Sequence, residues 1–234
     1  LLALSSLPFF LPFLLTGLSG GLTYLGRVGG TLQYSADLWS FFLPSPFHPL
    51  LGRVEPLHSW AMRAMHSYRG SFLENIQYVG LVPLFLSLIA VFRVPKKARM
   101  WVILGLGAAI LALGPLLKVG GELLVYRVSG ERSYVVLPYA LVKSLPLYKF
   151  GRTPARLAYT LIFSMAILAS YGAGWILKKV RGAGWRASLT GCLALLILFE
   201  YLVIFPFPTC GGGVPAFYKE IGQDPEDYAI LDLP

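Results

Sequence analysis

The chain has 234 residues, of which 56% are apolar and 13% charged, with a mean hydropathy of +0.66. Soluble domains lie nearer half apolar and a quarter charged. Here the apolar residues also come in long unbroken runs, so composition excludes an ordinary soluble globular protein and predicts a polytopic membrane protein. The net charge of +9 comes from 20 basic and 11 acidic residues. Eight of the 20 basic residues sit in two short loops between apolar runs, where membrane topology explains them better than nucleic-acid binding does.

Five runs read as spanning helices, at 1–18, 76–92, 101–117, 157–177 and 188–208. The expected fold class is all-α, a transmembrane helix bundle with interfacial or re-entrant helices on the outer side. The first run opens at Leu1 with no basic segment before it, and does not read as a signal peptide. Pro8, Pro12 and Pro83 fall inside runs, which membrane helices tolerate. Trp101, Trp175 and Trp185 lie at or near run ends, as interfacial aromatics do.

The connections set the expected orientation. Residues 93–99 carry four basic residues and no acid, and so do 178–186. Both loops are short, so both are placed in the cytoplasm. Outer loops then cover 19–75 and 118–156, and the tail 209–234, with five acids and one Lys, is extracytoplasmic. The tail ends in Asp227-Tyr228-Ala229-Ile230-Leu231-Asp232-Leu233, which reads as a strand beginning. The chain is therefore expected to be a stretch of a longer protein, with a soluble domain starting in the tail. Within the outer loops, Ala36 to Phe42 and Leu137 to Tyr148 read as short surface helices broken by prolines.

The 118–156 loop holds seven basic residues and two acids, an excess that topology does not require. Arg152-Thr153-Pro154-Ala155-Arg156 stands just before a spanning helix, whose N-terminal dipole end favours anions. With Lys143 and Lys149 it forms a candidate seat for a lipid-borne phosphate; snorkelling to headgroups is the plainer alternative. Asp37, Glu74 and His48 of the first outer loop complete the candidate substrate-binding set, although helix capping accounts equally well for Glu74. His48, His58 and His66 are ten and eight residues apart, which is no metal spacing. Cys192 and Cys210, about 27 Å apart along one helical run, are too distant to pair. Glu200, inside the last run, reads as a bundle-facing structural group, protonated or paired with a base on a neighbouring helix.

Several of these residues carry a family resemblance. Ser35-Ala36-Asp37-Leu38, Phe42-Leu43-Pro44-Ser45-Pro46, His48-Pro49-Leu50, Glu74-Asn75, Tyr78-Val79-Gly80, Gly114-Pro115, Leu137-Pro138-Tyr139, Leu145-Pro146 and Arg152 to Arg156 occur in that order. Together they resemble the later half of prokaryotic GT-C-type membrane glycosyltransferase-like proteins, including YfhO-like ones. The resemblance implies transfer of a sugar from a polyprenyl-phosphate donor on the outer face of the cell membrane; no cofactor is expected, no metal-ligating residue is singled out, and metal dependence stays open. It places the catalytic acid upstream of this sequence and gives Arg152 and Arg156 the donor phosphate. Membrane lipid and a lipid-linked sugar are the implied partners. A transporter or flippase of lipid-linked sugar, and a non-catalytic scaffold for an outer domain, are the rival readings.

Overall fold

A computed structural model describes residues 29–66, 75–128, 130–142, 153–204 and 216–223. The protein is mostly helical, and the chain divides into two units, Leu1–Ile204 and Phe205–Pro234. In the first, short helices α1 (Gly29–Gln33) and α2 (Leu57–Met65) precede α3 (Leu81–Arg93) and α4 (Pro95–Ala112), which are joined at Val94. Four short strands follow, β1 (Lys118–Val119), β2 (Glu122–Leu123), β3 (Val125–Val128) and β4 (Glu131–Tyr134). Then come α5 (Tyr139–Val142), a 3-10 turn Pro154–Leu157, and the long helices α6 (Ala158–Lys179) and α7 (Ala183–Glu200). In the second unit α8 spans Ala216–Ile221.

Among the described residues, two helices are long and apolar enough to cross a membrane, Pro154–Lys179 and Ala183–Glu200. The other runs have different ends from those expected. Residues 76–80 are not helical, because Gly80 takes a left-handed φ of 78° just before α3. Pro83 then falls in the first turn, where its missing N–H has no helical partner to lose. α3 has 13 residues, about 20 Å of rise. The run at 101–117 stops at Ala112, because Gly114 adopts a φ of 76° and Pro115 follows, a pairing that ends helices. The last run starts five residues early and ends at Glu200. Run 1–18 lies outside the described residues.

The all-α expectation also missed two hairpins. β1 pairs antiparallel with β2 and β3 with β4, with Lys118 opposite Leu123 and Val125 opposite Tyr134. Gly120 and Gly121 both have positive φ, the backbone form that a two-residue hairpin turn requires. The short surface helix at 36–42 is a 3-10 turn, Leu38–Phe41, with Ser40 and Phe41 buried. Of the one expected at 137–148 the described part is α5.

Helix α6 is the central element and packs along both α3 and α4. Ser87 pairs with Met165 and Arg93 with Trp175, so α3 and α6 run parallel. Ala98 clusters with Leu168 and Gly105 faces Ser164, so α4 runs the other way. The α3–α6 seam is built from small residues, Ser87, Ala90, Ala169 and Gly172, all buried. A Cβ on Gly172 would overlap the Leu86 carbonyl. The single Ser87 hydroxyl proton is shared between the Pro83 carbonyl at 2.7 Å and that of Met165 at 3.2 Å. A single interhelical hydrogen bond contributes only about 1 kcal/mol net, so close packing of the small residues contributes most here.

The helix ends form two contrasting regions. At one end lie residues 93–99 and the α6–α7 turn, the basic end. At the other, residues 31–48 fold over the ends of the helices as a cap. Its core gathers Ala36, Phe41, Val79, Ala112, Leu113, Ala155, Ala158 and Met165. Backbone bonds tie it down: Ala36 N–H to Ala112, Ala155 N–H to Tyr34 and Val79 N–H to Phe41, at 2.9–3.0 Å.

Candidate functional site

The cap buries four ionisable side chains, and backbone groups at turns or helix ends occupy each of them. Asp37 is fully buried. Its carboxylate accepts the Trp39 N–H at 2.9 Å, capping the 3-10 turn. It also accepts the Gly120 and Gly121 N–H groups at 3.0 and 2.8 Å. The positive φ of these glycines turns two successive N–H groups toward one anion. The expected role of Asp37 in substrate contact is therefore replaced by one as the fastener between cap and hairpin.

His48 is also fully buried. Nδ1 accepts the Leu50 and Leu51 N–H groups at 3.1 and 2.9 Å. Nε2 then carries the proton and donates to the Phe199 carbonyl at 2.7 Å. The ring caps the C-terminal end of α7 and packs edge-on against Phe199, 5.0 Å between centroids. Both nitrogens are occupied, so His48 does not face a substrate as the sequence had suggested.

Glu200 faces the bundle, as expected, but its partners are backbone rather than a base. Oε1 accepts the Leu81 N–H at 2.9 Å and the Tyr78 hydroxyl at 3.2 Å, and Oε2 accepts the Val82 N–H at 3.0 Å. A carboxylate from α7 thus caps the N-terminus of α3, where Gly80 has no side chain to do so. Burial, then the Glu200 charge, pushes the Tyr78 phenol up to about 12, and the same two causes raise Tyr201.

Lys118, which the sequence did not single out, is fully buried. Its Nζ donates to the Ser35 carbonyl at 2.6 Å and that of Leu32 at 3.2 Å, at the C-terminal end of α1. Burial pulls the ammonium down to about 8, opposed by the nearby Asp37 charge. The signal for it lay in Lys118-Val119-Gly120-Gly121-Glu122-Leu123, where Gly-Gly between alternating residues marks a hairpin. Ser40 Oγ donates to Gln77 Oε1 at 2.8 Å, and buried Asn75 donates to the Met65 carbonyl at 3.0 Å.

Of the expected phosphate seat only Arg156 is described, exposed on the 3-10 turn Pro154–Leu157 at the cap end of α6. Arg152, Lys149, Lys143 and Glu74 lie outside the described residues, as does Cys210; Cys192 is an exposed free thiol on α7. No cluster of three or more His, Cys, Asp or Glu that could hold a metal occurs among the described residues.

Beneath the cap lies an apolar cavity of about 490 Å³. Its walls come from α3 and α4, its floor from Leu161, Met165 and Leu168 of α6, and its cap-side end from Leu38, Phe41 and Phe42. It exists because α3 and α4 touch each other far less than each touches α6. Sequence periodicity could not reveal it, since the lining residues read simply as membrane-facing. Such a lining suits hydrocarbon: it offers dispersion contacts and almost no polar partner. The chain matches no family model, no curated protein and no solved structure in these comparisons.

Proposed function

We propose that the protein is the membrane-embedded part of a GT-C-type glycosyltransferase-like enzyme of the prokaryotic cell membrane. It has five spans, with residues 93–99 and 178–186 in the cytoplasm and the cap on the outer face. It holds a polyprenyl-phosphate sugar while the sugar passes to an acceptor hydroxyl. The observation that carries this reading is the apolar cavity beneath the cap, suited to part of an isoprenoid chain. Arg156 stands on the turn that leads into α6, and Leu161 in the cavity floor follows about 8 Å further along that helix. A chain in the cavity would thus bring its phosphate toward the turn that carries Arg156.

In the reaction the acceptor oxygen bonds to the anomeric carbon, and the bond from that carbon to the phosphate oxygen breaks. Cations stabilise the departing phosphate and a base takes the hydroxyl proton. Asp37, His48 and Glu200 are held by backbone groups, so the base is assigned to residues outside this group. That same occupancy favours a second reading, a non-catalytic lipid-holding scaffold.

The test is transfer of labelled sugar by the full-length protein, alongside labelling by a photoreactive prenyl phosphate. Filling the cavity with Ala109→Phe is expected to abolish labelling and transfer while the melting midpoint holds. Arg152→Ala/Arg156→Ala should remove transfer. Normal transfer by either variant sinks the assignment, and labelling without any transfer by the wild type selects the scaffold.

A further inference from the structure

The basic end shows a different use of charge. Residues 93–99 and 178–186 contain eight basic residues and no acid. Three have partners: Arg93 and Lys179 flank the Trp175 ring, 4.9 and 4.0 Å from its centroid, and Arg186 donates to the Val180 carbonyl. Arg93, Lys178 and Lys179 also lie in the last turns of α3 and α6, where the helix dipole favours cations. Lys96, Lys97 and Arg99 have neither advantage. They are exposed and stand at the start of α4, the positive end of its dipole, with no acid in the first turn. Nothing in the fold of the described residues stabilises three cations there.

Lys96, Arg99, Met100 and Ile103 share one face of α4, at helical spacings of three and four. They line a shallow depression of about 340 Å³. Met100 is 61% and Ile103 63% exposed. The face is thus divided: two cations at the helix end, then bare apolar surface along the next two turns. A ligand matching it carries an anion joined to hydrocarbon, which neither inorganic phosphate nor a polyphosphate chain does.

We propose that this face of α4 binds an anionic phospholipid, with its phosphate between Lys96 and Arg99 and an acyl chain lying over Met100 and Ile103. The site rests on the reading that the bundle is embedded in a membrane with this end at the lipid–water boundary. It is separate from the cavity beneath the cap and from the transfer reaction.

The experiment uses the full-length protein in nanodiscs of mixed phosphatidylglycerol and phosphatidylcholine, with retained lipid counted by native mass spectrometry. The wild type is expected to keep phosphatidylglycerol in preference. Lys96→Gln/Arg99→Gln should lower that preference roughly tenfold or more, because both cations that would hold the phosphate are removed. Met100→Ser/Ile103→Ser should also weaken retention although its charge is intact. Lys178→Gln/Arg181→Gln, which removes two exposed cations from the same end, should leave retention unchanged. No effect of the first pair, or an equal effect of the Lys178/Arg181 pair, overturns the site. Complete displacement of the lipid by millimolar inorganic phosphate overturns the acyl half. Failure of the membrane reading is distinguishable, because alkaline carbonate would then release the protein from native membranes.

Discussion

The cap and the basic end use charge in opposite ways. In the cap, Asp37, His48, Lys118 and Glu200 are buried, and each is bonded to backbone N–H or C=O groups at a turn or a helix end. At the basic end, Lys96, Lys97 and Arg99 are exposed. A buried ionisable group must be matched by the protein itself, since water is absent. An exposed cation contributes little to the fold and can be kept for something outside it. Burial therefore separates charges that hold this structure from charges available for binding.

The largest expected effect comes from Asp37→Ala. It strands three part-buried N–H groups, those of Trp39, Gly120 and Gly121, each costing about 1–3 kcal/mol when left unmatched. A loss on the order of 4 kcal/mol or outright unfolding in detergent is expected; a loss below about 1 kcal/mol would break the comparison. Glu200→Ala comes next. It uncaps α3 and releases Tyr78, at a cost of about 2–3 kcal/mol in a thermal melt. Glu200→Gln should recover part of that, since its amide oxygen still accepts.

Lys118 sharpens the comparison through pH. Unfolded, it holds its proton to about 10.5; folded, it releases it near 8. Between those values the unfolded state binds more protons, so stability should rise with pH. Below about 8 both states are protonated and the penalty of burying the charge is fully present. Tyr78, raised to about 12 from 10, acts in the opposite sense above pH 10, so pH 8 to 10 is the clean window. Melting midpoints across that window should climb in the wild type and stay flat in Lys118→Met. The smallest effect is expected from Lys96→Gln, whose melting free energy should move by no more than ~0.5 kcal/mol. A larger loss would mean that the basic end is structural after all.

The helical character was legible because long apolar runs have few alternatives, and α6 was read to within two residues at each end. Errors gathered where backbone conformation overrides composition. Gly80 and Gly114, both at positive φ, move the ends of α3 and α4 inward. The hairpins escaped because two- and four-residue strands carry almost no periodic signal. Among the candidate site residues, Arg156 is exposed on the 3-10 turn at the cap end of α6, while Asp37 and His48 turned inward. Beside their local partners, the groups that tie them into the fold are 83, 84 and 151 residues away, a separation at which local pattern carries no information. A loop acid and a buried cap look alike in one dimension.

Length, composition and charge by themselves determined that the chain is mostly helix, that it carries apolar segments fit for a bilayer, and that its cations cluster. These are sums over neighbouring residues, and hydrophobic transfer and helix propensity act at that range. Tertiary structure alone decided which charges are locked, where the α3–α4 splay leaves a cavity, and which face of α4 joins cations to bare hydrocarbon. Those depend on which backbone groups and helix faces meet across long stretches of chain, and burial arises only once they have met.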